Sequence, residues 1–202
     1  FIDVAMGILT VLFNRQIMKY LGTSALAIYG PIVNVSTFVQ CCAYSVGQAS
    51  QPIISTNFGA GKEARIRETL RYALWTVVFF GVFWTVPSVA CLNLYIRIFM
   101  SPTETILAMA PAIIRAYAIS FLLLPFNIFS TYYFQAILQP KAAFIVSVAR
   151  GLVISGALIL MLPLLAGADS LWFAMPITEL VTAVYAAACI RRYTARLDAK
   201  AT

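Results

Sequence analysis

Residues 47–67 read GQASQPIISTNFGAGKEARIR, and the glycine-rich end of this stretch admits two readings. A phosphate-binding loop needs a glycine, four residues, then Gly-Lys followed by Ser or Thr. Five positions before Gly61 stands Thr56, and Lys62 is followed by Glu63, so the pattern fails at both ends. The stretch reads instead as a joint between two helices, with glycine supplying backbone freedom for a turn. The residues on either side decide what those helices are.

They are apolar. The chain of 202 residues is 62% hydrophobic and 10% charged, with a mean hydropathy of +0.90. Soluble domains run near 45–50% apolar and about 25% charged, so lipid is the solvent this composition calls for and membrane lipid is an obligatory partner. The net charge of +7 does not point to nucleic acid, because no basic and aromatic surface lies outside the apolar runs. Cys41, Cys42, Cys91 and Cys189 all fall within apolar stretches and the chain has no histidine. No metal or cofactor site is expected, and the cysteines read as small buried hydrophobes. No cleavable signal is present, and the opening on Phe1 in mid-pattern predicts a piece of a longer protein.

Charge, proline and glycine divide the chain into six apolar segments, at approximately 1–20, 25–57, 70–95, 106–138, 142–168 and 170–191. The first is shortened at its start, and each of the others exceeds the length needed to cross a bilayer. The runs are continuous, not alternating as barrel strands are. The expected fold is an all-α, polytopic membrane helix bundle of six spans occupying residues 1–202.

Six crossings place the loops alternately on two sides. Lys62, Arg65, Arg67, Arg71, Lys141, Arg191, Arg192, Arg196 and Lys200 fall on one side, and Arg15, Lys19 and Arg97 on the other. Nine against three puts the 58–69 loop and the C-terminus in the cytoplasm by the positive-inside rule. The expected location is a plasma or inner membrane, and the asymmetry accounts for the net charge.

Pro52, Asn57, Gly59, Ala60 and the basic run after them resemble the loop following the eighth helix of multidrug and toxic compound extrusion (MATE) transporters. The likeness continues in Asn14 and Gly22, in Gln135-Ala136 with Pro140-Lys141, in Arg150, and in Trp172, Pro176 and Glu179. It covers essentially the whole chain and implies the C-terminal six-helix half of a twelve-helix transporter whose N-terminal half is missing here. It further implies efflux of small organic, often cationic, molecules, exchanged for protons or sodium ions by alternating access. Two departures stand out. Leu138 occupies a position where the family often has glycine, so the end of the fourth span could turn differently. Some members carry a cation-binding acid in the tenth helix, the fourth span here, yet residues 106–168 contain no Asp or Glu.

Charged groups inside a bilayer are functional candidates by default. Glu179 lies roughly 11 residues, about 17 Å, from the cytoplasmic end of its span, and Arg150 about 12 Å along the fifth from the same side. They are candidates for ion coupling or for pairing two helices, and Asp3 is a further coupling candidate. Arg115 reads as an interfacial anchor near the outer end of the fourth span. Pro125 should bend the fourth span, turning the freed carbonyl of Phe121 and the amide of Asn127 into the bundle. Gln40, Tyr44 and Gln48 recur every four residues as an inward stripe. Gln40, Tyr44 and Asn127 are the candidate substrate-binding residues, against the alternative that they form ordinary interhelical hydrogen bonds.

An enzyme is not expected, since there is no paired carboxylate or metal cluster. The remaining alternatives are a flippase for a lipid-linked precursor, which wants a cationic cavity that only Arg115 and Arg150 could supply, and a non-transporting assembly subunit.

Overall fold

A computed structural model of the chain describes residues 2–91, 96, 98 and 103–201, with side chains between 7 and 195 of that set. Among the described residues all regular structure is helical. Helix α1 spans Ile2–Tyr20, α2 Gly22–Gly59 and α3 Glu63–Ala90. The fourth span is divided into α4, Glu104–Ala118, and α5, Ser120–Ala136. The fifth is built from α6, Pro140–Val148, a π-helical turn at Ala149–Val153, and α7, Ile154–Ala166. A 3-10 turn at Ala168–Phe173 leads into α8, Ala174–Ala201.

Five segments are long and apolar enough to cross a membrane: α2, α3, α4 with α5, α6 through α7, and the last turn with α8. Helix α1 is not one of the five; its first side chains lie outside the described set, and it packs on α2 and α7. Several expected boundaries move. The second helix runs to Gly59, and its 38 residues amount to about 57 Å, well beyond a hydrocarbon core of about 30 Å. The third begins at Glu63 instead of 70, because EARIRETL is made of good helix formers and Glu63 suits the positive end of the helix dipole. Only Ala60–Lys62 are left as the turn, with Gly61 at φ +65° and the Lys62 amide bonded to the Asn57 carbonyl at 2.9 Å. The expected end of the third span, at 95, lies outside the described residues.

Helix α5 is the hub, packing on α2, α3, α6 and α8. Two apolar cores meet along it. Leu124 and Ile128 belong with Phe13, Ile32 and Trp172, while Phe129 and Tyr133 belong with Ile54, Ile66 and Ile190. Asn127 sits at the junction.

The helix breaks before the proline. Pro125 cannot donate to Phe121 and crowds its carbonyl, yet α5 carries Pro125 and the discontinuity is at Ile119. There the Leu122 amide turns back to the Ile119 carbonyl at 3.3 Å, and Thr85 Oγ1 donates to the Ala118 carbonyl at 3.5 Å. Gly81 lets α3 approach the opened backbone: a Cβ at that position would lie 2.6 Å from the Leu122 carbonyl oxygen. The α5–α6 turn keeps a glycine-like shape without glycine, since Leu138 itself takes φ +55°.

Candidate functional site

Three helical segments each deliver one polar side chain to the seam between the apolar cores. Glu179 comes from α8, Arg150 from the π-helical turn and Asn127 from α5. Arg150 Nε donates to Glu179 Oε1 at 2.8 Å. Asn127 Nδ2 donates to Glu179 Oε2 at 2.6 Å and to the Glu179 backbone carbonyl at 2.8 Å. Glu179 and Asn127 are fully buried, and the Arg150 side chain is 11% exposed. A buried carboxylate is tolerated only when paired and hydrogen-bonded, and here both oxygens are engaged. Asn127 Oδ1 is buried with no hydrogen-bond partner among the described residues.

The π-helical turn accounts for part of this placement. Such turns interrupt the regular ladder and recur at functional sites. The Arg150 carbonyl accepts from Ser155 Oγ at 2.7 Å, five residues on.

Arg150 also lines two cavities. One, of about 60 Å³, lies among Thr10, Ser36, Gln40, Tyr117, Glu179 and Arg150. The other, of about 130 Å³, lies among Tyr44, Thr131, Gln135, Ser147 and Arg150. Each carries polar groups in a partly apolar lining and has room for water. An aromatic cluster lines the first: Phe13 stacks on Tyr29 with ring centroids 4.7 Å apart, and Tyr117 meets Tyr29 edge-on at 6.0 Å.

The residues singled out from the sequence separate accordingly. Arg150 and Glu179 meet directly. Gln40 faces the first cavity, with its amide on Ser36 Oγ at 3.3 Å, within its own helix. Tyr44 faces the second cavity, and Gln48 is exposed. One stripe therefore serves two chambers. Asn127 lines neither of these two chambers and is bound to Glu179. The side chain of Asp3 lies outside the described residues. Arg115 is exposed in the last turn of α4. In the loop motif, Pro52 is exposed within α2, Gly59 and Ala60 are exposed at its end, and Asn57 Nδ2 bonds to the Ile53 carbonyl at 2.8 Å. Cys41 and Cys91 are exposed, not buried as expected, since an apolar stretch in a bundle has an outer face as well as an inner one.

The MatE family model matches residues 2–161. This chain belongs to the MatE family. No curated protein sequence matches it. Among solved structures, the MatE chain superimposes with a TM-score of 0.86 on an outward-facing multidrug resistance MATE family transporter of the MOP superfamily. That match has 14% identity and covers 98% of this chain and 44% of that one. A MOP superfamily transporter from Pyrococcus furiosus, described by a reversed polarity of its binding pocket, matches with the same four values. A MATE in the bent conformation also gives 0.86, at 15% identity over 100% of this chain and 45% of that one. The MatE chain thus spans less than half the length of these solved transporters, and its all-α bundle is the fold of one lobe of such a protein.

The sequence offered no acid on the fourth span. The structure brings one there from the sixth, because Glu179 reaches Asn127 of α5. The comparable depths of Arg150 and Glu179 were visible in the sequence; the π-helical turn and the contact to Asn127 carry no pattern that periodicity detects.

Proposed function

We propose that the chain is the C-terminal lobe of a multidrug efflux antiporter that exports organic, often cationic, compounds in exchange for protons or sodium ions. The observation that supports this reading most directly is the buried Arg150–Glu179–Asn127 cluster, whose Arg150 lines two cavities. It ties together the fourth, fifth and sixth spans, so a change in the charge of Glu179 would alter the packing of half the lobe. Loss of that charge frees Arg150 from its partner, and the guanidinium then has two cavities carrying some polar groups beside it. A ligand or ion that binds one arrangement better than the other shifts the balance between them. Because both Glu179 oxygens are already held by donors, we take the coupling ion of this reading to be a proton.

Substrate would lie between this lobe and the N-terminal half, with Gln40 and Tyr44 as the residues of this lobe nearest to it in role. A flippase reading has less support, since Arg150 is neutralised by Glu179 and Arg115 stands away at the end of α4. The basic loop side and the C-terminus are assigned to the cytoplasm of a plasma membrane.

Full-length protein in proteoliposomes tests the proposal. A pH gradient should drive efflux of cationic dyes, and Glu179→Gln should abolish the drive while leaving the protein folded. Efflux unaffected by that substitution, or driven only by sodium, would remove Glu179 from coupling.

A further inference from the structure

A long apolar groove opens on the surface between α3 and α8, with a volume of about 510 Å³. Leu70, Leu74, Trp75 and Val78 of α3 form one wall, Thr194 of α8 stands on the other, and Arg67 and Arg71 lie at one end. The groove exists because α3 and α8 each pack on α5 and touch one another little. Phe134 holds Tyr193 with ring centroids 6.0 Å apart, and Tyr133 Oη lies 3.4 Å from Thr194 Oγ1. Beside that contact, the polar groups in the lining are the guanidiniums of Arg67 and Arg71.

Its dimensions match one leaflet. From Arg67 to Val78 is about 17 Å of helix, close to half of a hydrocarbon core of about 30 Å. The flanking residues mark an interface: Trp75 is 70% exposed, and the Arg71 guanidinium lies 5.4 Å from the ring centre of exposed Tyr72. Helix α3 also presents more of itself outward than the other spanning segments, with 22% of its apolar stretch buried. Between residues 60 and 71, Lys62, Arg65, Arg67 and Arg71 outnumber Glu63 and Glu68 by two charges. Arg191 stands one turn before Thr194 on the facing helix.

We propose that this groove is a binding site for a phospholipid with an anionic headgroup. One acyl chain lies along Leu70, Leu74 and Val78, and the phosphate sits on Arg67 and Arg71. Guanidinium forks suit phosphate oxygens, and basic pockets at the ends of membrane helices select anionic headgroups. The assignment is independent of what the transporter exports.

The full-length protein purified in detergent can be exposed to equal amounts of phosphatidylglycerol and phosphatidylcholine and examined by native mass spectrometry. Phosphatidylglycerol should be retained roughly tenfold more than phosphatidylcholine. Arg67→Gln/Arg71→Gln should bring the two lipids to equal retention without lowering the melting temperature, and Arg67→Lys/Arg71→Lys should keep part of the preference. Val78→Trp, which fills the apolar end, should reduce retention of both. Equal retention of both lipids by the parent protein, or a preference that survives Arg67→Gln/Arg71→Gln, would overturn the site. So would displacement of phosphatidylglycerol by millimolar inorganic phosphate, which would make it a site for the phosphate alone. Cross-linking of Trp75→Cys between two copies, unaffected by added phosphatidylglycerol, would assign the groove to a second copy instead.

Discussion

Arg150 and Glu179 meet at 2.8 Å across the fifth and sixth spans, with the carboxylate fully buried and the guanidinium nearly so. Removing either partner strands the other charge. Arg150→Ala and Glu179→Ala should each lower stability by about 3–5 kcal/mol, and the double variant by clearly less than their sum. Arg150→Met/Glu179→Leu should recover most of the loss, because apolar side chains of similar volume fill the space without desolvating a charge. Thermal melting in detergent measures all four, and additive losses would show that the two residues do not interact.

Asn127 and Gln40 should part company. Asn127→Leu removes two donors to Glu179 and should destabilise by about 1–3 kcal/mol through the unsatisfied buried acceptors. Gln40→Leu forfeits one bond to Ser36 within its own helix and should leave the melting temperature within a degree or two. In the full-length protein, Gln40→Leu should weaken efflux of unrelated cationic dyes by different factors. Parental rates for every dye would make Gln40 a packing residue.

The difference between those two residues also marks what the sequence could disclose. Continuous apolar runs force helices in lipid, so the spans were readable, and Arg150 and Glu179 could be matched because depth along a helix follows from residue count. The direction in which Asn127 points depends on how α5 rotates after the break at Ile119. At that break the neighbours are Thr85 and Gly81 of α3, which are distant in the sequence. The start of α3 at Glu63 is hidden for the opposite reason: a charged segment looks like a loop in a hydropathy profile, although Glu63–Leu70 is locally a good helix.

Leu138 gives a test of backbone conformation. It stands at φ +55° with 72% of its surface exposed, so it contributes little packing while paying a left-handed penalty of about 1–2 kcal/mol. Leu138→Gly should therefore raise stability, by about 1 kcal/mol once the greater freedom of glycine in the unfolded chain is counted. A lowered melting temperature would mean that the leucine makes a stabilising contact with lipid or with another part of the protein.

The last prediction concerns the break in the fourth span. Gly81 faces the Leu122 carbonyl, and an added Cβ would approach its oxygen to 2.6 Å, against backbone that cannot rotate away as a side chain could. Gly81→Ala should push α3 from the α4–α5 junction and lower stability by about 1–3 kcal/mol, the range for overpacking a close contact. Gly30→Ala is the control: it lies in α2 with nothing within 4 Å of its added Cβ, and alanine there should be neutral or stabilising by up to about 1 kcal/mol. Because Thr85 reaches the Ala118 carbonyl one turn further along α3, Gly81→Ala should also loosen that bond. Hydrogen exchange in detergent should then accelerate around Ile119–Leu122 and remain unchanged around Ile66 in the other core. If Gly81→Ala melts with the parent protein and exchange at the junction is unaltered, α3 does not support the break, and Pro125 alone must account for it.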